Sequence, residues 1–69
     1  MSDNVEIRGD AIRLGQLLKL AGLVGSGAEA KEVLAAGQVM VNGEAEARRG
    51  RQLHRGDVVV AAGEEVVVA

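Results

Sequence analysis

Residues 48 to 55 read Arg48-Arg49-Gly50-Arg51-Gln52-Leu53-His54-Arg55 and hold four of the chain's eight cationic side chains. The other 61 residues carry four cations against ten carboxylates, on a chain whose net charge is only −2. Solubility does not require a cationic cluster on an acidic body, and concentrated positive potential is the footprint of a surface that meets phosphates. Arg48, Arg49 and Arg51 repel one another at this spacing and relax best on a polyanion. Arginine also suits bidentate contact with phosphate or with a guanine edge better than lysine does. The competing reading is a solvated loop whose cations balance Glu44, Glu46, Glu64 and Glu65.

A second candidate is Gly25-Ser26-Gly27 at a helix start, where free amides and the helix dipole favour an anion, with Lys31 about a turn further on. A capped helix start without a ligand accounts for the same residues. Catalysis finds little to work with. His54 is the only histidine, there is no cysteine, and Ser2 and Ser26 lie far from it in sequence. A nucleophile, base and orienting group cannot be assembled from that set, so no enzyme is expected. The pairs Glu44/Glu46 and Glu64/Glu65 read as solvent faces of strands or turns. One histidine and no thiolate build no zinc site, and neither a metal nor a cofactor is expected. The chain has no Phe, Tyr or Trp, so it cannot stack bases on aromatic rings as many single-strand binders do.

These residues need elements to position them. Val5 to Ile7 suits a short edge strand closed by Gly9, and Asp10 suits an N-cap for a helix from Ala11. Leu14, Leu17, Leu18 and Ala21 follow the spacing of one buried helical face. Arg13, Gln16 and Leu20 flank that face, Lys19 points elsewhere, and Gly22 stops the helix. Ser26-Gly27-Ala28-Glu29 is a capping-box pattern, predicting a second helix from about Gly27 to Ala36 with Ala30, Val33 and Leu34 inward and Gly37 as its stop. The short link makes the two helices a hairpin. The period then changes to two at Val39 and Val41, and Asn42-Gly43 predicts a tight turn with Glu44 to Ala47 returning antiparallel. After the arginine segment come a Gly56-Asp57 turn, a strand at Val58 to Ala61, a turn at Gly63 and a strand at Glu65 to Val68. Two helices followed by a small antiparallel sheet is an α+β plan.

Sixty-nine residues make one small domain that buries only about 60% of its unfolded surface. No run of about 18 apolar residues exists for a membrane span. The Met1-to-Glu6 segment lacks the pattern of a signal peptide, so the expected setting is the cytoplasm, as a monomer.

Arg13-Leu14, Ser26 to Lys31, Gly37-Gln38-Val39-Met40-Val41-Asn42-Gly43 and Gly56-Asp57-Val58-Val59, in this order and spacing, resemble the RNA-binding module of small-subunit ribosomal protein S-four, the αL motif. The match covers about residues 11 to 60, and the whole chain resembles the family's short, free-standing bacterial subgroup. The resemblance implies a helical hairpin laid on a small twisted antiparallel sheet. It further implies that structured RNA, ribosomal or tRNA-like, is gripped by the first turn of the second helix, the flank of the first (Arg13, Gln16) and the strand-turn region. Arg13 matches the family's first-helix arginine, Ser26 the serine of its Ser-Arg pair, Lys31 a commonly basic position, and Arg48 a basic residue after the Asn-Gly turn. Two positions depart. The arginine of the Ser-Arg pair is Gly27, and the acidic residue after Arg-Leu is Gly15. With Arg49, Arg51 and Arg55 adding charge nearby, the expected binding centre moves toward residues 48 to 55. Contacts through phosphates and shape predict affinity that falls steeply with salt. Ribosomal particles are the expected setting for such a domain. The alternatives are a protein-interaction module of β-grasp type, since Val41-Asn42-Gly43-Glu44 and Gly56-Asp57-Val58-Val59-Val60 also occur in small sulfur carriers, and an assembly adaptor on ribosomal particles.

Overall fold

The computed structural model describes residues 3 to 69. Its elements run β1 (Asp3–Val5), β2 (Ile12–Arg13), α1 (Leu14–Leu20), α2 (Gly27–Ala35), β3 (Val39–Val41), β4 (Glu44–Ala45), β5 (Gln52–Leu53), β6 (Val58–Ala61) and β7 (Glu64–Val68). Five strands form one sheet in the order β1-β7-β6-β3-β4, while β2 and β5 form a separate antiparallel pair. The helices lie on one face of the five-stranded sheet, giving the expected α+β plan. Leu14, Leu17, Leu18, Ala30 and Leu34 share a continuous core with Val39, Val41, Leu53, Val59, Ala61, Val66 and Val68.

The local signals for α2 work as physics says they should. The Ser26 side chain accepts from the Glu29 N–H at 3.2 Å. The reciprocal half of the box is displaced by one residue, because Glu29 Oε2 accepts from Gly25 N–H at 3.1 Å rather than from Ser26. Both helices end in a Schellman motif on a left-handed glycine. Gly22 has φ +74°, with Gly22 N–H donating to Lys19 O and Leu23 N–H to Leu18 O. Gly37 has φ +72°, with Gly37 N–H donating to Leu34 O and Gln38 N–H to Val33 O.

Several boundaries differ from the sequence reading. Helix α1 begins at Leu14, not Ala11, and Asp10 caps nothing; Arg13 occupies the N-cap position without a side-chain cap bond. Ile12 and Arg13 are instead drawn into β2, paired with Leu53 and Gln52, so an edge pairing outcompetes three further residues of helix. The first strand is Asp3–Val5 and runs parallel to β7, with Asp3 opposite Val66 and Val5 opposite Val68. The sheet is therefore mixed, with its other pairings antiparallel. The intervening chain serves as the long crossover that a parallel pair requires.

The Asn42-Gly43 turn has both residues at positive φ, 52° and 85°, as a two-residue type I′ hairpin demands. Asn42 also ties the hairpin to the turn at residues 54 to 57. Its Oδ1 accepts from Val58 N–H at 2.9 Å and its Nδ2 donates to Asp57 Oδ1 at 3.1 Å. Asp57 Oδ2 accepts from His54 N–H at 2.8 Å, and chiefly for that reason the carboxyl is held below the usual range. The Asn-Gly and Gly-Asp-Val motifs are thus two halves of one structural clasp.

Candidate functional site

The arginine segment is organised by a carboxylate that the sequence reading placed on a solvent face. Glu46 turns inward and is only 9% exposed. Its Oε2 accepts from Ala47 N–H (3.1 Å), Arg48 N–H (3.2 Å) and Arg48 Nε (3.3 Å), and its Oε1 from Arg48 Nη2 (3.2 Å) and Arg51 Nη1 (3.0 Å). These donors, the Arg48 side chain foremost, lower its pKa from 4.5 to about 2, and the same pairing raises that of Arg48. A carboxylate that stays ionised and holds two guanidiniums winds the loop around itself. The signal in sequence was the placing of arginines two and five residues beyond Glu46, which strand alternation alone could not reveal.

The four arginines therefore divide. Arg48 and Arg51 share Glu46, although the Arg48 side chain remains 77% exposed. Arg55 points the other way, donating from Nη2 to Ile7 O at 3.1 Å and approaching Asp10 at 3.9 Å; the fully exposed Asp10 makes that ion pair a weak one. Arg49 makes no ion pair among the described residues.

The Arg49 side chain instead crosses the start of α1. The first two amides of the helix are capped from this loop, Leu14 N–H donating to Arg51 O at 2.8 Å and Gly15 N–H to Arg49 O at 2.9 Å. A Cβ on Gly15 would stand 2.5 Å from Arg49 Cγ and 3.1 Å from Cδ. Glycine at position 15 is thus the condition for the arginine stem to lie where it does.

Beyond that crossing lies a cleft of about 110 Å³ lined by Arg13, Gly15, Gln16, Lys19, Gly27, Ala30 and Arg49. A neighbouring hollow of about 170 Å³ shares Arg13 and Gln16 and adds Ala11, Ile12 and Gln52. The fold brings Arg13, Gln16, Gly27 and Arg49 to one place. Lys19, which helical spacing pointed elsewhere, joins them because the cleft reaches round the flank of α1. No carboxylate lines the cleft, and its three cations make no ion pair among the described residues. Ser26 is outside the lining, and its hydroxyl is engaged as a cap. Lys31, Arg48, Arg51 and Arg55 are outside the lining. Among the described residues the His54 side chain has no hydrogen-bond partner; its backbone is used in the clasp. Among the described residues no cluster of His, Cys, Asp and Glu could hold a metal ion.

Residues 5–69 match the family model described as S4 domain. A protein of Bacillus subtilis (strain 168) named "Probable ribosome maturation protein RlbA" is 48% identical over 59 residues, which span 86% of this chain and 83% of that one. Among solved structures, the chain resembles YbcJ of E. coli, described as having an αL motif involved in RNA-binding. There the TM-score is 0.75 and the identity 36%, covering 100% of this chain and 89% of that one. A 30S ribosomal protein from Thermoplasma acidophilum shares the fold, with TM-score 0.63 and 24% identity over 84% of this chain and 31% of that one.

Proposed function

The chain belongs to the S4 domain family, and we propose on that premise that it is a non-catalytic RNA-binding domain that grips structured RNA through phosphates and shape. The observation that carries this reading is the cleft, with Arg13, Lys19 and Arg49 converging on one hollow that has no acid in its walls. The amino end of α2, at Gly27, adds the positive end of a helix dipole to the same hollow. Gly27 leaves that wall without a side chain, and Arg49 reaches the cleft from the opposite side. The cation absent from position 27 is in this way supplied in space rather than in sequence. Arg48 and Lys31, both exposed, extend the positive surface from the cleft, with Arg51 and Arg55 fixing the loop and the amino-terminal segment around it.

Base stacking is unavailable to a chain without aromatic residues, so recognition rests on backbone geometry with arginine contacts to base edges. The name of the Bacillus subtilis relative supports ribosomal RNA in maturing particles as the target, bound by a monomer in the cytoplasm. Fluorescence anisotropy with a folded ribosomal RNA fragment, repeated across salt, tests the reading. Affinity must fall steeply with salt, and Arg13→Ala and Arg49→Ala must each weaken binding without lowering the melting temperature. Absence of binding, or binding indifferent to salt, overturns it. Co-sedimentation of the tagged protein with ribosomal particles, lost on nuclease treatment, tests the setting, and size-exclusion chromatography with light scattering tests the monomer.

A further inference from the structure

The hollow beside the cleft has a chemistry of its own. Three cations line the cleft, whereas the hollow of about 170 Å³ is lined by Arg13, Gln16, Gln52, Ala11 and Ile12. The pairing of β2 with β5 sets Arg13 directly opposite Gln52, and such partners project to the same face of their ribbon. Leu53, on the other face, is fully buried, so Arg13 and Gln52 turn outward, and both are exposed. Gln16 lies three residues past Arg13, a spacing that makes neighbours on a helical flank. Two carboxamides and a guanidinium thus converge from β2, α1 and β5. Among the described residues none of these three side chains makes a hydrogen bond. The leading amides of α1 are already taken by Arg49 O and Arg51 O, so a ligand in the hollow meets the side chains. No carboxylate lines either space.

Cleft and hollow share Arg13 and Gln16 as a common wall. A nucleotide is divided in the same way, with an anionic phosphate joined through its sugar to an uncharged base rich in hydrogen-bonding groups. A carboxamide presents donors and an acceptor side by side, the complement of the N6 amino group and N7 of adenine. Adenine repeats that pattern with N6 and N1. Of the four bases, only adenine offers it on both its Watson–Crick and its Hoogsteen edge, and can therefore satisfy two carboxamides at once. Resting on the RNA reading of the cleft, we propose that the hollow holds one unpaired adenine of the bound RNA, with Gln16 and Gln52 on its two edges and an adjoining phosphate in the cleft. The base must be unpaired, because the narrow major groove of an RNA duplex closes base edges to side chains and sequence is read in bulges and loops. Gln16 and Gln52 are then the specificity-determining residues of a surface that otherwise reads phosphates and shape.

The test is fluorescence anisotropy with an RNA hairpin whose stem carries a single bulged nucleotide. At one salt concentration the bulged adenosine must bind about tenfold tighter than bulged guanosine, cytidine or uridine, or than the stem without a bulge, since a bidentate base contact discriminates by about that factor. Purine riboside in the bulge, which lacks the N6 amino group, must bind as weakly as uridine. Gln16→Ala and Gln52→Ala must each abolish the preference for adenosine, with melting curves confirming that the variants are folded. Gln52→Glu, which keeps the side chain's size but removes its donor, must abolish it too. Equal affinity for all the bulges, a preference for another base, or a preference that survives any of these substitutions overturns the proposal. Failure of the cleft reading shows differently, as binding that is absent at low salt or indifferent to salt, whereas salt-sensitive binding without base preference sinks the adenine site alone.

Discussion

Gly15→Ala is the substitution that most directly tests how the cleft is built. The new methyl would sit 2.5 Å from Arg49 Cγ, 3.1 Å from Cδ and 3.5 Å from Arg49 O. The last of these is an ordinary contact, so the Gly15 N–H bond to Arg49 O at 2.9 Å can persist while the arginine stem turns away. An off-rotamer side chain costs about 0.5–1.5 kcal/mol, and alanine in place of glycine within a helix contributes up to about 1 kcal/mol. Stability should therefore change by less than about 1 kcal/mol. Binding should change much more. Three cations with no ion pair among the described residues line the cleft, and at a slope of about −0.9 per neutralised phosphate the wild-type affinity should drop about 40-fold between 50 and 200 mM salt. With Arg49 displaced, two cations remain and the drop should be about 12-fold. Anisotropy titrations at the two salt concentrations measure this, and Arg49→Ala should give the same reduced dependence. The double variant should then bind no worse than Arg49→Ala alone, since both changes remove one contact. Wild-type affinity and salt dependence in a folded Gly15→Ala protein would refute the argument, as would an additive loss in the double variant.

Three further outcomes follow from the geometry. Glu46 has a folded pKa near 2 against an ordinary 4.5, so the folded state holds fewer protons there and its stabilisation is complete above about pH 4.5 and lost as pH falls through about 2. Thermal melts of Glu46→Gln should start lower at neutral pH and decline less steeply with acid, keeping only the part due to Asp57, whose pKa is also lowered; an unchanged acid decline would count against the Glu46 assignment. Ala62 holds φ 53° in the β6–β7 turn, a conformation that costs a side-chain-bearing residue about 1 kcal/mol, so Ala62→Gly should raise the melting temperature by several degrees in calorimetry. Asn42→Gly keeps the turn but deletes the clasp, and chemical denaturation should show a loss of about 1–2 kcal/mol that is not additive with Asp57→Ala.

What the sequence made legible was whatever short-range chemistry decides. Ser26, Gly22, Gly37 and Asn42-Gly43 act on their immediate neighbours, and α2 and both stops fall within a residue or so of expectation. The β2–β5 pair was not legible, because two residues a side carry no periodicity and the pairing joins opposite halves of the chain. Asp10 looked like a cap for want of that partner. The same cause hid the inward turn of Glu46 and the placement of Lys19 in the cleft, since both depend on where the arginine loop packs. Arg13, Gln16, Gly27 and Arg49 were all marked from sequence, yet only the fold shows that these four meet while Arg48, Arg51 and Arg55 are occupied elsewhere.

The capping of α1 by the arginine loop also orders events in time. Seven residues are too few for a helix to hold on its own in water, and the leading amides of α1 find their acceptors on Arg49 and Arg51, in the far half of the chain. While the protein is being synthesised, α2 and the β3–β4 hairpin emerge with their own cap and turn residues, whereas α1 emerges without a local cap. The first helix must wait until the arginine loop has been made. The cleft is therefore among the last features to mature, and a nascent chain cannot clamp the RNA around it before its own fold is nearly complete.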